Sequence, residues 1–286
     1  MASALAPSSS RAYSAAWGKF ISFACSHDLP FSVPVPLDHL LWFCTYLSNK
    51  GLSHSSILPM MSAISYAHKL HAAPDPTKSF RLQQLLVSLK RRAPSADDRQ
   101  PITHDILSLI LSQLSAHLHS VYERLLFRAI FTSAFHFGLR LGEFTESRHN
   151  LPRESVSISS VDMRVSFGSF KHSTGSPVVH TIGASGERHC PVAAMSAYLA
   201  FRGNTQGPLF LLGGSAVKRH VFNAHFKALL RQCGLSIRLT SHSFRIGAAT
   251  WWSHLNYSEA KIKQLGRWRS NAFLKYLRGP VSHPSY

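Results

Sequence analysis

The stretch LGRWRSNAFLKYLR, Leu265 to Arg278, holds four cationic residues, one Trp, one Tyr and no acid. Read locally, it is a basic amphipathic segment with a short helix over 270–278. Tyr276 then packs that helix or touches a phosphate, as a half-buried aromatic with a polar tip does. The other role open to it is reaction at the phenol oxygen. That role needs cations to absorb charge and a group to handle the proton, and the stretch supplies neither in full. Whether they stand elsewhere in the chain decides both the fold and the function.

The chain has 286 residues, enough for one large domain or two modest ones. Its formal net charge is +18, from 31 Lys+Arg against 13 Asp+Glu. Only 15% of residues are charged, below the usual value of about 25%, so the excess reflects missing acids. After Glu187 the only acid is Glu259, while 188–286 holds fourteen Lys or Arg. A folded segment with that bias attracts a polyanion, with nucleic acid as the first candidate; the alternatives are a merely soluble basic protein or one bound to anionic lipid. No apolar run reaches the roughly 18 residues of a membrane span. The N-terminus does not read as a secretory signal. The four Cys are scattered without a CxxC pair, which predicts reduced thiols.

Residues 1–9 are small and polar and are expected to be disordered. Four helices are expected between Tyr13 and Arg92. The first carries Tyr13, Trp17, Phe20, Ile21 and Ala24 on one face. The second covers about 37–47, and the third begins near Ser53 or Ser55 with Pro59 in or near its first turn. The fourth carries Phe80, Leu82, Leu85, Leu86 and Leu89 and ends in Lys90, Arg91 and Arg92. Those cations suit a helix C-terminus and could also meet phosphate. APSADDRQP, 93–101, reads as a linker between this helical domain, 10–92, and a second domain, 102–286. There, Thr103 caps a helix through Leu114 and another covers about 121–137. Residues 155–183 alternate and are β-branched, predicting two or three strands with Lys171–Ser176 as a hairpin loop. Helices follow over about 191–202, 216–232, 242–255, 258–265 and 270–278. The fold class is thus mainly α with a small antiparallel sheet.

Five segments could carry chemistry. GLRLGE sets Arg140 three residues before Glu143. Lys171 opens the hairpin loop. SHSFR sets His242 three residues before Arg245, on one face of a helix start. GRW holds Trp268, and LKYLR holds Tyr276. Each has an ordinary reading too: Arg140 and Lys171 as solvated cations, Glu143 as a simple ion-pair partner, His242 as a neighbour of a helix cap, Trp268 and Tyr276 as packing aromatics. Arg245 is the exception, because it precedes the apolar IGAATWW and a buried cation wants an anion. Lys218, Arg219, Arg267 and Arg269 are the further cations expected to touch DNA.

Taken in order, Arg140, Lys171, His242-Ser-Phe-Arg245, Trp268 and Tyr276 resemble the signature of tyrosine recombinases and integrases. The neighbouring wording, GLRLGE, SHSFRIGAAT and LGRWRSNAFLKYLR, matches as well, and the resemblance spans nearly the whole chain. GRW…AF…YLR looks most like the recombinases of DIRS/Ngaro-type retrotransposons, with Crypton, Cre and Xer-type enzymes more distant. Trp268 stands where many members have His. The step from Trp268 to Tyr276 is eight residues, one shorter than the Cre pattern. Tyr286 also stands near the end, without a supporting motif.

The resemblance implies a helical core-binding domain ahead of a catalytic domain, with no cofactor. It implies DNA strand breakage and rejoining through a 3′-phosphotyrosyl intermediate at Tyr276. Arg140 and Arg245 would hold the phosphate oxygens, and Glu143 would brace Arg140. His242 would handle the Tyr276 proton, Lys171 would protonate the leaving 5′-oxygen, and Trp268, whose indole can only donate, would orient. The implied partners are double-stranded DNA, clamped by the two domains, and further copies in a homotetramer; the implied location is the nucleus if the source is eukaryotic and otherwise the cytoplasm, on DNA. The alternative is a catalytically silent DNA-binding protein derived from such an enzyme. Eighteen His raise the question of a metal. The close pairs His68/His71 and His117/His119 lack an HExxH or CxxC context, so no metal is expected.

Overall fold

The computed structural model describes residues 5, 7–92, 99–168, 170, 177–235 and 238–277. The chain divides into two compact units, Met1–Ala96 and Asp97–Tyr286. Most of the predicted linker, and Lys171 with its hairpin loop, lie outside the described residues.

The first unit is four helices: α1 (Pro7–Ser26), α2 (Leu37–Asn49), α3 (His54–Leu70) and α4 (Phe80–Arg92). α1 begins at Pro7, inside the segment expected to be disordered, with proline at a helix start where its missing N–H costs nothing. The core takes Ala16, Phe20, Phe23 and Ala24 from α1, Leu40, Phe43, Cys44 and Leu47 from α2, and Ile57, Met61 and Ile64 from α3. The buried face of α1 is therefore turned from the expected stripe: Phe23 packs inward and Ile21 is only half-buried. Pro59 falls inside α3, beyond its first turn. In α4, Leu82, Leu86 and Leu89 are buried, whereas Phe80 is 76% exposed. Lys90, Arg91 and Arg92 are exposed on its last turn.

The second unit is mainly helical, with α5 (His104–Ser112), α6 (Leu114–His117), α7 (Val121–His136), α8 (Leu141–Phe144), α9 (Pro191–Arg202), α10 (Arg219–Gln232), α11 (Ser241–His254) and α12 (Glu259–Leu265). Thr103 caps α5 as expected, accepting the Ile106 N–H at 3.2 Å. The helix expected to run on to Leu114 breaks at Gln113, and α6 follows. α7 is the buried spine, apolar around most of its surface from Leu126 to Phe135. Strands β1 (Val156–Ile158), β2 (Asp162–Phe167) and β3 (Val178–Gly183) form an antiparallel sheet in that order. Met163, Val165 and Phe167 alternate inward along β2, the period-2 pattern of a half-buried strand. A two-residue pair, β4 (Leu211–Leu212) with β5 (Ser215–Ala216), displaces the expected start of α10 to Arg219. The last segment is a 3₁₀ helix over Asn271–Tyr276 rather than an α-helix. Its Phe273 is fully buried against Ala248, Ala249, Trp252 and Ile262, which seats Tyr276 beside α11. Among the described residues no helix is long and apolar enough to cross a membrane, and all four cysteines are free thiols.

Candidate active site

The site lies within the second unit, where α8, α11 and the turn after α12 converge. It is a pocket of about 580 Å³ lined by, among others, Arg140, His242, Arg245, Trp268, Arg269 and Tyr276. Five of the six residues expected to act on a phosphodiester thus line one pocket of one chain. The sixth, Lys171, lies outside the described residues.

Arg140 is the residue from which the short α8 starts. Its backbone N–H donates to Glu143 Oε2 at 2.9 Å, and the Glu143 N–H donates back to the Arg140 carbonyl at 2.8 Å. The Arg140 side chain then folds over the same carboxylate, Nη1 to Oε1 at 3.1 Å, and Nη2 donates to the Arg267 carbonyl at 2.9 Å. The spacing of three in GLRLGE is what allows one carboxylate to take both the main-chain and side-chain donors. The guanidinium is thereby fixed at the pocket wall with about a quarter of its side chain exposed.

Arg245 and His242 come from the first turn and a half of α11. Thr240 starts that helix, accepting the His242 N–H at 3.2 Å while its own N–H donates to Ser243 Oγ at 3.0 Å. Arg245 is buried, as the apolar run after it predicts. Among the described residues no carboxylate holds it directly. Nη1 donates to the Gly138 carbonyl at 2.5 Å and Nη2 to the Gly266 carbonyl, and its guanidinium lies 4.2 Å from the Trp268 ring centre. Backbone carbonyls and an aromatic face satisfy its donors without cancelling its charge. Burial, then the nearby Arg140 and Arg267, press its pKa well below the ordinary arginine value. A bound anion would relieve that pressure.

Arg267 corrects an expectation. It stands beside Trp268 and Arg269 in the most basic stretch of the chain, which suggests a DNA contact, but its side chain is fully buried. Nη2 donates to Glu143 Oε2 at 2.7 Å, Nη1 donates to the Phe137 carbonyl at 3.2 Å, and the guanidinium lies 3.9 Å from the Phe167 ring centre. It is an internal brace that ties the turn after α12 to α8 and β2. Glu143 is accordingly bridged by two arginines. Burial alone would raise its carboxyl, but Arg267, then Arg140 and the Arg140 N–H, hold it below the ordinary value.

Tyr276 lines the same pocket as Arg140. Its ring is 4.9 Å from that of His242, edge to face, and 5.7 Å from that of Trp268. Its carbonyl accepts the Thr250 hydroxyl at 3.1 Å, which anchors the 3₁₀ turn to α11. The eight-residue step from Trp268 is therefore long enough to bring the phenol to its own chain's His242. Gly266 makes room for the indole: a Cβ there would stand 1.5 Å from Trp268 Cζ3. Of the other expected DNA contacts, Arg269 is exposed at the pocket rim, and Lys218 and Arg219 are exposed at the start of α10.

His68 is buried; its Nδ1 donates to the Ile64 carbonyl at 2.8 Å and its Nε2 accepts the Val35 N–H at 2.9 Å. His117 pairs with His225 instead, Nε2 to Nδ1 at 3.0 Å. A different set, His104, His136 and His189, is gathered from distant parts of the second unit.

No family model matches the sequence, and no curated protein matches it. Solved structures do resemble the fold. A lambda integrase dimer bound to a COC′ core site superposes with a TM-score of 0.65 at 15% identity, over 99% of this chain and 93% of that one. XerH site-specific recombinase bound to difH substrate, in a pre-cleavage complex, gives 0.65 at 15% identity, over 93% and 76%. The Tn1549 transposon integrase with circular intermediate DNA gives 0.58 at 15% identity, over 86% and 82%. The fold is that of tyrosine recombinases and integrases.

Proposed function

We propose that the chain is a tyrosine recombinase that cuts and rejoins double-stranded DNA through a covalent bond to Tyr276. The observation that carries this reading is the convergence of Arg140, His242, Arg245, Trp268 and Tyr276 on one pocket, in a fold shared with recombinases whose solved complexes contain DNA.

In the proposed reaction the Tyr276 phenol oxygen attacks the scissile phosphorus. A phosphotyrosyl P–O bond forms, the P–O5′ bond breaks, and the strand keeps its 3′-phosphate on the enzyme. The phenol proton passes to His242, the ring against Tyr276. The departing 5′-oxygen takes a proton from Lys171, a role carried over from the resemblance. Arg140 and Arg245 present N–H forks to the non-bridging oxygens, and Trp268 adds its single donor. They act most strongly when the phosphorus is five-coordinate and the negative charge is greatest, which is what accelerates the step. A phenol (pKa about 10) leaves more readily than an alkyl alcohol, so a 5′-hydroxyl from another strand can reverse the attack without ATP. Because His242 and Trp268 flank the Tyr276 of the same chain, cleavage occurs in cis. The GRW…AF…YLR wording supports a eukaryotic mobile element of DIRS/Ngaro type as the substrate, with action in the nucleus as a homotetramer on paired sites.

The test is a nicked suicide duplex bearing the element's end sequence. Wild type should form a denaturation-resistant protein–DNA adduct, Tyr286→Phe should keep it, and Tyr276→Phe should lose it. An adduct that survives Tyr276→Phe refutes the assignment. DNA binding with no adduct from wild type makes the chain a silent binding protein.

A further inference from the structure

We propose that His104, His136 and His189 form a transition-metal site, fitted best to Zn²⁺, in the second unit. They come from the first residue of α5, the last residue of α7 and the approach to α9. One nitrogen from each lies within 4.8 Å of the others. The ring centres are 4.5 Å apart for His104–His189, 5.7 Å for His136–His189 and 5.8 Å for His104–His136.

Hydrogen bonds set the tautomers of two of the three. His136 Nδ1 lies 2.9 Å from the Thr132 carbonyl, which can only accept, so Nδ1 carries the proton and Nε2 the lone pair. His189 Nε2 lies 2.8 Å from a Glu187 carboxylate oxygen, so Nε2 carries the proton and Nδ1 the lone pair. An imidazole that gives one N–H to a carbonyl or carboxylate and keeps the other nitrogen bare is the arrangement found around bound metals, where the outer partner orients the ring. The wall is apolar on one side: the His104 ring lies 4.1 Å from that of Trp251 and 4.7 Å from that of Phe135. Tetrahedral Zn²⁺ with Zn–N of about 2.0–2.1 Å needs its nitrogens about 3.3 Å apart. The set would close by at most about 1.5 Å, the scale of a side-chain rotation. Three imidazoles without a thiolate suit Zn²⁺, Cu²⁺ or Ni²⁺ rather than Ca²⁺ or Mg²⁺.

The position gives such an ion a structural purpose. His136 is followed by Phe137 and Gly138, whose carbonyls receive Arg267 and Arg245. His104 is preceded by Ile102, whose N–H donates to the Ser243 carbonyl at 3.0 Å. The Ile102 carbonyl sits so close to α11 that a Cβ on Gly247 would stand 1.9 Å from it. An ion held by the three rings would pin the two backbone segments that set His242, Arg245 and Arg267. It takes no part in the chemistry proposed for Tyr276, and its binding can be tested without DNA.

The test uses untagged full-length protein, stripped with a chelator and titrated with Co²⁺ and then Zn²⁺. One equivalent of Co²⁺ should give intense visible absorption of four- or five-coordinate geometry, and Zn²⁺ should abolish it. Zn²⁺ at a hundredfold excess over its Kd should raise Tm by about 5–10 °C. His104→Phe, His136→Phe and His189→Phe keep the aromatic packing and should each weaken binding by on the order of 100-fold or more, against about 10-fold for Glu187→Gln. His117→Phe should leave affinity unchanged. Where a phenylalanine variant does not fold, the exposed Glu187→Gln carries the comparison. The site is overturned if wild type shows no one-to-one binding, or if its affinity is unmoved by these ligand substitutions.

Discussion

Replacing Glu143 by Gln keeps the shape of the side chain and removes its charge. Arg267 is then a fully buried cation with no counter-ion, and Arg140 loses the carboxylate that orients it. The new amide also turns an N–H₂ toward groups that can only donate. Breaking a buried ion pair from one side costs about 3–5 kcal/mol, a large part of the 5–15 kcal/mol that holds a typical domain folded. For a unit of this size that is a fall in Tm of about 6–20 °C. Glu154→Gln, an exposed acid of the same unit, should stay within about 0.5 kcal/mol. Urea titration followed by far-UV circular dichroism measures both. A Glu143→Gln protein within about 1 kcal/mol of wild type would refute the view that this carboxylate neutralises the arginine cluster. Adding Arg267→Met removes the stranded cation and should recover part of the loss, by a coupling of about 0.5–3 kcal/mol.

The same carboxylate predicts a pH dependence. Burial by itself raises the Glu143 carboxyl, but Arg267 and Arg140 outweigh it, so the folded value is below the unfolded one. The stabilisation is therefore fully present above the unfolded value of about 4.3 and is lost as pH falls through the lower folded value. Wild type should lose stability steeply on acidification from about pH 5, and Glu143→Gln should lose less over that interval.

Arg269→Ala, at the exposed rim, should lower the slope of log K against log salt for DNA binding by about one unit, whereas a conservative change at buried Arg267 should leave the slope alone. Gly266→Ala should displace the Trp268 indole and cut the rate of adduct formation by on the order of 100-fold, read in the suicide-substrate assay, because small misplacements of orienting groups cost that much. Gly247→Ala should destabilise the unit by about 1–3 kcal/mol in urea titration, because α11 has to move off the Ile102 carbonyl.

Much of the fold was legible because its signals are local. Thr103 capping α5 and the alternation of Met163, Val165 and Phe167 were open to reading from short windows. What failed depends on tertiary context. Nothing in the spacing of α1 distinguishes Ile21 from Phe23 as the inward residue; only α2 and α3 do. Phe80 opens α4 at a position the first unit leaves exposed. The site shows the same division. Arg140, His242, Arg245, Trp268 and Tyr276, expected together from residue type and order, line one pocket, and Arg245 is buried as the apolar run after it predicts. Arg267 reads from its neighbours as a DNA contact, but its side chain is fully buried on Glu143, a pairing between residues 124 apart that no short window shows. The His104, His136 and His189 group was invisible because its members are 32 and 53 residues apart.

The acid shortage that marks the sequence has a local consequence in the pocket. Leaving aside the solvated Arg269 at the rim, Arg140, Arg245 and Arg267 bring three positive charges, and Glu143, held ionised, brings one negative charge, so the inner cluster is left at +2. A phosphodiester carries one negative charge, and attack by a deprotonated phenol adds a second at the five-coordinate stage. The cluster thus matches the charge of the proposed transition state better than that of the bound DNA, which is the condition for raising the rate rather than merely tightening binding. A second carboxylate would help fold the buried arginines and would lower the cluster to +1. Satisfying Arg245 with the Gly138 and Gly266 carbonyls and the Trp268 face instead, none of which carries a formal charge, keeps the cation buried and still unneutralised. A carboxylate introduced in the lining of the same pocket, as Ser270→Glu would do, should therefore slow adduct formation more than it weakens DNA binding. Equal losses in the two measurements would show that the charge serves binding alone.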